Sequence, residues 1–320
     1  MTQTCGYFKK SAISQIMKQF LLLTLLILVS ASYSEAKKKY KALIVTGQNG
    51  SHDWTVSTPL IQEMLEETEI FTVDVATAPP RRGGADMSTF LPDFKPYDLV
   101  VVDYDGALWP EPTQKAFVEF VKNGGGVVIY HAGDNPFPDW KEFNEMIGLG
   151  GWGGRNEKAG PYVYYKDGKI VRDTSPGVGG SHGPEWEYIV ETRMPSHPIM
   201  KGLPAKWLHT RDELYQQLRG PGLNMEILAT SYADPAKKGT GRDEPMLFTI
   251  KYGKGRIFHT VLGHVGMRTR NYPAVECVGF KVTFQRGSEW AASGKVKQKV
   301  PADFPTETQM SRWAPKSLPK

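Results

Sequence analysis

The chain has 320 residues, 40% of them hydrophobic, and a formal net charge of +5. That length can bury a large core, as one domain or as a domain with a sizeable insertion. Basic and acidic residues nearly balance and no basic-aromatic stripe runs through the chain, which argues against nucleic-acid binding.

The first 36 residues read as a secretory signal peptide. Lys9, Lys10 and Lys18 precede the apolar run Phe20 to Val29, and small residues lead to Ser34-Glu35-Ala36. The run is short for a membrane span. Cleavage after Ala36 is therefore expected, with no stable membrane insertion afterwards and a periplasmic or secreted destination. Without residues 1–36, which hold three lysines and one glutamate, the net charge is +3 and Cys277 is the one cysteine left. An exported chain with one cysteine forms no intrachain disulfide, so its stability must come from its core.

Tyr40 to Gly47 predicts a first strand. The loop Gln48 to Trp54 follows, then a helix that turns Leu60, Ile61, Met64 and Leu65 inward, with Thr58 as N-cap and Pro59 in its first position. Phe71 to Ala76 predicts the second strand, and this βαβ opening points to a parallel sheet. Pro79 to Pro96 is a long Gly- and Pro-punctuated connection. Pro96 to Tyr104 is a third, continuously apolar strand that exits through Asp103-Tyr104-Asp105-Gly106. Pro112 to Lys122 predicts an amphipathic helix with Phe117, Val118 and Val121 on one side. Gly124 to Gly126 then turns the chain into the run Val127 to Tyr130, which ends in His131-Ala132-Gly133. Open α/β sheets place ligands at the C-terminal ends of their strands, so His52, Asp105 and His131 are expected on one edge.

Phe137 to Ile147 is expected to be helical, and Gly148 to Gly154 is irregular and carries Trp152. Tyr162 to Val171 predicts a hairpin around Asp167-Gly168. The glycine-rich stretch Thr174 to Gly183 around His182 reads equally as a lid and as a surface loop. Glu185 to Val190 is a strand candidate. Ser196 to Pro204 is a rigid turn that leads into Leu208 to Tyr215. Met225 to Ser231 and Pro245 to Tyr252 are strands, and Gly253-Lys254-Gly255 is a hairpin turn into Arg256 to His264. Asn271 to Phe284 resembles a last helix, although its spacing also permits a strand. The stretch from Lys295 is rich in Lys, Pro, Gln and Ser and is expected to be a peripheral or mobile tail. The expected organisation is a signal peptide over 1–36, one domain over 37–286 and a C-terminal tail over 287–320.

Gly50-Ser51-His52-Asp53-Trp54, Gly125 to Ala132, His197-Pro198-Ile199, Asp212-Glu213-Leu214-Tyr215, and Tyr252 to Arg256 followed by Leu262-Gly263-His264 together resemble the trehalose-utilisation, ThuA-like family. The ordered set spans roughly residues 40–284. The resemblance implies an α/β fold similar to the class I glutamine amidotransferases: a flavodoxin-like three-layer sandwich with a mostly parallel central sheet and antiparallel additions. In that fold the nucleophilic cysteine sits on a strand-to-helix elbow, and the matching position here is His131. Histidine cannot form the thioester that releases ammonia from glutamine, so amidotransferase activity is argued against while the fold survives. An association with disaccharides and sugar derivatives is what the resemblance implies.

The candidate catalytic set is His131, Glu213, His264 and His52, with Glu213 as first choice for the base and His131 as acid or orienting donor. Asp105 and Tyr215 are expected to hold hydroxyls, and Trp54, Trp109 and Trp152 to stack on a sugar face. The four catalytic candidates could instead hold a divalent metal such as zinc, but no close ligand pair or His-Glu-x-x-His helix requires one. Nearby Arg211 is an alternative partner for Glu213, and His209 and His259 are expected to be structural. The expected function is an exported carbohydrate-active enzyme, a hydrolase or isomerase acting on a small sugar or oxidised glycoside by acid-base chemistry. The alternative is a noncatalytic carbohydrate-binding protein. Oligomeric state stays open, a homo-oligomer included.

Overall fold

The computed structural model describes residues 39–81 and 86–318, so the signal-peptide segment lies outside the described residues. In the first half the strands are β1 (Tyr40–Gly47), β2 (Phe71–Thr77), β3 (Leu99–Tyr104) and β4 (Gly126–Tyr130), with helices α1 (Trp54–Glu66), α2 (Glu111–Lys122) and α3 (Lys141–Ile147) between and after them. The second half holds the hairpin β5 (Tyr162–Lys166) and β6 (Lys169–Asp173), then β7 (Trp186–Thr192), β8 (Lys206–Asp212), β9 (Met225–Tyr232), β10 (Asp243–Tyr252) and β11 (Gly255–Thr260). Helices α4 (Pro273–Glu276) and α5 (Val278–Ser293) follow.

All strands join one sheet in the order β2-β1-β3-β4-β11-β10-β9-β7-β8, with the β5-β6 hairpin attached to β10. β2, β1, β3, β4 and β11 run parallel. From β10 to β8 every pairing is antiparallel. β3 and β4 are buried along their whole length, as continuous apolar runs require when both faces of a parallel sheet are covered. Each such Val, Leu or Ile contributes about 1.5–3 kcal/mol.

Neighbouring residues of β11 show the layers on either side. The Phe258 ring fills the place a side chain at Gly287 of α5 would take, where a Cβ would lie 2.1 Å from it. His259 turns the other way and donates from Nδ1 to the carbonyl of Ile147 at the end of α3, at 2.8 Å. Successive strand residues face opposite sides, so α5 and α3 cover opposite faces. The result is the three-layer α/β sandwich, whose five parallel strands continue into four antiparallel ones and the β5-β6 hairpin.

Several local expectations change. α1 starts at Trp54, capped by Asp53, whose carboxylate accepts from the backbone of Thr55. Thr58 and Pro59 therefore lie inside the helix, and the Thr58 hydroxyl donates instead to Asp103 at 2.7 Å. Only Lys141–Ile147 of the expected helix over 137–147 is helical. Pro136 and Pro138 flank Phe137, which takes φ +59°, and proline both lacks the N–H and restricts the residue before it. The Asp167-Gly168 turn has φ +49° and +77°, which suits a two-residue hairpin loop. The last helix is split at Cys277, whose backbone is extended, and α5 continues to Ser293.

The expected domain boundary at residue 286 falls inside a helix, and the described residues form one compact unit. Arg286 is buried at that point and donates to the carbonyls of Ile199, Pro198, Lys201 and Gln298, which ties the start of the tail to the body. The tail has no regular structure of its own, yet it is strapped down. Leu208 of β8 donates to Thr306, Trp313 donates to Glu276, and Phe304 is buried against Trp207. No helix among the described residues is long and apolar enough to cross a membrane.

Candidate active site

Strand direction brings the candidate residues to one edge. β1, β3, β4 and β11 are parallel, so the loops that follow them, carrying His52, Asp105, His131 and His264, exit on the same side. Passing from β11 to β8 crosses four antiparallel pairings, which returns β8 to the same direction. Its exit, Asp212-Glu213, therefore points to that edge too, and Glu185 enters there just before β7.

Each side chain is held locally. The Asn49 side-chain oxygen accepts from the backbone N–H of Ser51 and His52 and receives His52 Nδ1 at 3.3 Å. Asp53 N–H donates to Val265, which zips the His52 loop to the His264 loop. His131 ends β4 with φ +44°, an uncommon conformation for a residue with a side chain. Its Nδ1 donates to the carbonyl of Val261 at 2.7 Å. A carbonyl can only accept, so this ring carries its proton on Nδ1 and aims Nε2 away from the strand.

Asp212 is the latch between the two halves of the sheet. One of its oxygens accepts from Glu213 N–H at 2.8 Å and His264 N–H at 3.1 Å. The other accepts from Gly263 N–H and from His209 Nε2, both at 2.8 Å. Gly263 sits at φ +98°, where a Cβ would meet the Phe280 ring at 2.7 Å, so only glycine lets the chain turn here. Tyr130 donates its hydroxyl to the Gly263 carbonyl and closes the same corner. His209 and Asp212 are fully buried. Burial opposes the charge on His209, but Cys277 and Asp212 beside it push its pKa up to about 10. Burial likewise opposes ionisation of Asp212, and His209 holds it below the usual carboxylate range.

The result is a ring of imidazoles around one carboxylate. The Nε2 atoms of His182, His264, His131 and His52 lie 3.5, 3.6, 3.8 and 4.0 Å from the nearest Glu213 oxygen. All these separations are longer than a good N–H···O bond. Tyr215 lies against His131 with ring centroids 4.4 Å apart, and its hydroxyl is 3.4 Å from His52 Nε2. Trp152 stands edge-on to Tyr215 at 4.6 Å. Above this floor opens a cavity of about 330 Å³, lined by Ser51, His52, Asp105, Asn135, Trp152, Gly153, His182, Glu213, Tyr215 and His264. A neighbouring cavity of about 350 Å³ shares His264 and is walled by Glu185, Arg211 and Arg270.

One aromatic expectation fails. Trp109 is 1% exposed and packs among Phe94, Phe117, Phe137 and Trp140, so it is a core residue rather than a sugar platform. Trp54 begins α1 and is not part of the cavity lining. Glu213 does not pair with Arg211, which is held by Glu185 at 3.0 Å. Asp103 is buried under the hydroxyls of Ser57 and Thr58, which leaves Asp105 to face the cavity. His182 and Glu185 join the site beyond the expected set. His182 had a local signal, as the polar side chain of a glycine-rich loop. Glu185, which accepts from His264 Nδ1 at 3.1 Å, had none beyond its place before a strand.

Electrostatics separates the roles. Burial opposes ionisation of Glu213, but His131 and His52 hold its carboxyl far below the usual range, so it is an anion and a weak base. That weakens the expectation of Glu213 as general base. Burial alone would lower His131; Glu213 and Asp212 more than reverse it. Burial pushes His52 down to about 4, and burial together with His131 lowers His264, so both rings are neutral at pH 7. One donor atom from each of His52, His131, His264 and Glu213 lies within 4.8 Å of the others, and this is the group among the described residues that could hold a metal ion.

Residues 41–291 match the family model described as trehalose utilisation, ThuA. The chain belongs to the ThuA family. A ThuA-like protein of Parabacteroides merdae is 55% identical, with 86% of this chain and 98% of that one covered and a TM-score of 0.83. A second ThuA-like protein, from Bacteroides uniformis, is 18% identical with a TM-score of 0.51, covers 83% of this chain and 96% of its own, and shows the fold alone. No curated protein matches the sequence. Membership ties this ThuA-family chain to sugar utilisation, on the same α/β scaffold the motifs imply.

Proposed function

We propose that this ThuA-family chain is an exported carbohydrate-active enzyme, a hydrolase or isomerase that acts on a small sugar or oxidised glycoside by proton transfer. The observation that carries this reading is the convergence of four imidazoles from separate loops on Glu213, with His52, His182, His264 and Glu213 lining one cavity and His131 behind it. Buried polar clusters of this kind with displaced pKa values are typical of reacting centres rather than of packing.

His182 is the most exposed of the four rings, at 37% against 2% for His131, and is placed to carry protons between solvent and substrate. The inner rings and Glu213 would accept hydrogen bonds from substrate hydroxyls. Trp152 offers a flat face to a sugar ring, and burial raises the pKa of Asp105, which suits it to a bond with a hydroxyl. The neighbouring cavity beyond His264 provides room for a second moiety, which favours a glycoside over a free monosaccharide. Export rests on the basic, apolar and small-residue order of residues 1–36.

Residues 37–320, tested against a panel of glycosides and 3-keto-glycosides, are expected to turn over at least one, and Glu213→Gln should lower kcat/KM for it about 10²–10⁴-fold. Sugar binding without turnover would overturn the enzyme and favour a noncatalytic carbohydrate-binding protein using the same Trp152 wall.

A further inference from the structure

We propose that His52, His131, His264 and Glu213 together hold one first-row transition-metal dication of the zinc type. Their four donor atoms lie within 4.8 Å of one another. Metal-ligand bonds of about 2.0–2.2 Å place neighbouring tetrahedral ligands roughly 3.3–3.6 Å apart and opposite octahedral ligands roughly 4.2 Å apart. The 3.6, 3.8 and 4.0 Å gaps between these imidazoles and the Glu213 carboxylate are of that size, and too long for the hydrogen bonds that would otherwise explain them.

The outer contacts point the same way. Each of the three rings has Nδ1 committed to an acceptor: Asn49 Oδ1 for His52, the Val261 carbonyl for His131 and the Glu185 carboxylate for His264. In a neutral ring this leaves the lone pair on Nε2, so three lone pairs and a carboxylate face one point. That outer arrangement is the one that orients metal-binding histidines. His131 Nε2 is also buried without a hydrogen-bond partner, a cost that a bound cation removes. Three imidazoles and one carboxylate suit zinc, iron, cobalt or nickel rather than magnesium or calcium, which take oxygen ligands.

His131 lies behind the cavity, while His52, His264 and Glu213 line it. The open side of the ion would therefore face the substrate space, where adjacent hydroxyl and carbonyl oxygens of a sugar can bind it. That last step rests on the sugar reading above; metal binding itself does not. His182 is outside the four-donor group and stays free to move protons.

The test uses untagged wild-type protein, stripped with a chelator and titrated with zinc sulfate by calorimetry, with cobalt(II) as a spectroscopic probe. About one zinc per chain is expected, together with visible cobalt bands. His131→Ala and Glu213→Gln should each weaken zinc binding about 100-fold or more, while His182→Ala keeps the wild-type affinity. Glu213→Gln preserves the shape of the site and carries the test if circular dichroism shows that His131→Ala does not fold. Wild-type protein that takes up neither zinc nor cobalt, or a Glu213→Gln variant that binds zinc as tightly as wild type, overturns the proposal. Turnover of a glycoside that survives complete stripping overturns the placement of the ion against the substrate oxygens, whereas the zinc titration alone decides whether the four residues bind metal. Zinc binding with no sugar turned over supports the metal site and counts only against the function proposed above.

Discussion

The parallel half of the sheet delivers His52, Asp105, His131 and His264 from loops that follow successive same-direction strands, whereas the antiparallel half supplies Glu213 and Glu185 by curling back onto that edge. In the first half, strand direction alone is enough to gather polar side chains. In the second it is not: β8 stands four strands away from β11 in the sheet order, yet its Asp212 accepts from Gly263 and His264 at the exit of β11. The two halves meet at a carboxylate-to-backbone latch, so the site should be most sensitive where the antiparallel half touches the parallel one.

The largest effect is expected from the side chain that crosses that junction. Glu213→Gln, measured by steady-state kinetics on whichever glycoside is turned over, should lower kcat/KM about 10²–10⁴-fold. A loss below tenfold would show that the parallel half works alone. Next comes Asp212→Asn, which leaves His209 buried beside a neutral partner and hands two N–H groups to a site full of donors. Breaking a buried pair in this way costs about 3–5 kcal/mol, read from urea unfolding. Stability within 1 kcal/mol of wild type, a threshold set by the ~1 kcal/mol worth of an ordinary hydrogen bond, would mean the latch is unimportant.

A smaller effect lies inside the antiparallel half. Burial pushes the Glu244 carboxyl from 4.5 up to about 7, against the bonds it accepts from Thr240 and Gln217. Between those values the folded chain keeps a proton that the unfolded chain has released, so stability falls as pH rises and the loss is complete above about 7. Glu244→Gln should remove that slope, and wild type should lose about 1–3 kcal/mol relative to it between pH 4.5 and 8. Identical pH profiles of unfolding would refute the assignment. The smallest effect is expected at Trp152→Ala, which removes one stacking face. KM should rise about fivefold with kcat little changed, as loss of about 1 kcal/mol of ring contact implies. A fall in kcat instead would place Trp152 in the chemistry.

The parallel half was the more legible one. Tyr40 to Gly47 and Val127 to Tyr130 show their strands as apolar runs and Phe71 to Ala76 as an alternating one, and His131 at the end of β4 marks the exit that matters. Local signals failed where a stronger contact took over: Asp53 rather than Thr58 caps α1, and paired prolines cut short the helix expected from Phe137. The tail from Lys295 looks solvated in composition, but Phe304 and the backbone bonds of Thr306 and Trp313 hold it to the body. Trp109 shows the reverse error, because an aromatic residue after a strand exit can serve a sugar or a core equally well until its neighbours are known.

What the sequence determined by itself was the α/β class, the family, the elbow at His131 and the four residues His52, His131, Glu213 and His264 as chemically suited candidates. The class follows from periodicity and turn residues, the candidates from side-chain chemistry, and the family and the elbow from the resemblance of short ordered motifs, all of which act over a few neighbours. Only the tertiary structure decided that the four meet, that His182 joins them, that Glu185 orients His264 and that Asp212 holds Gly263, 51 residues further along the chain. The reason is physical: a hydrogen bond between distant segments leaves no mark on the local pattern of either, and here the site is made of such bonds.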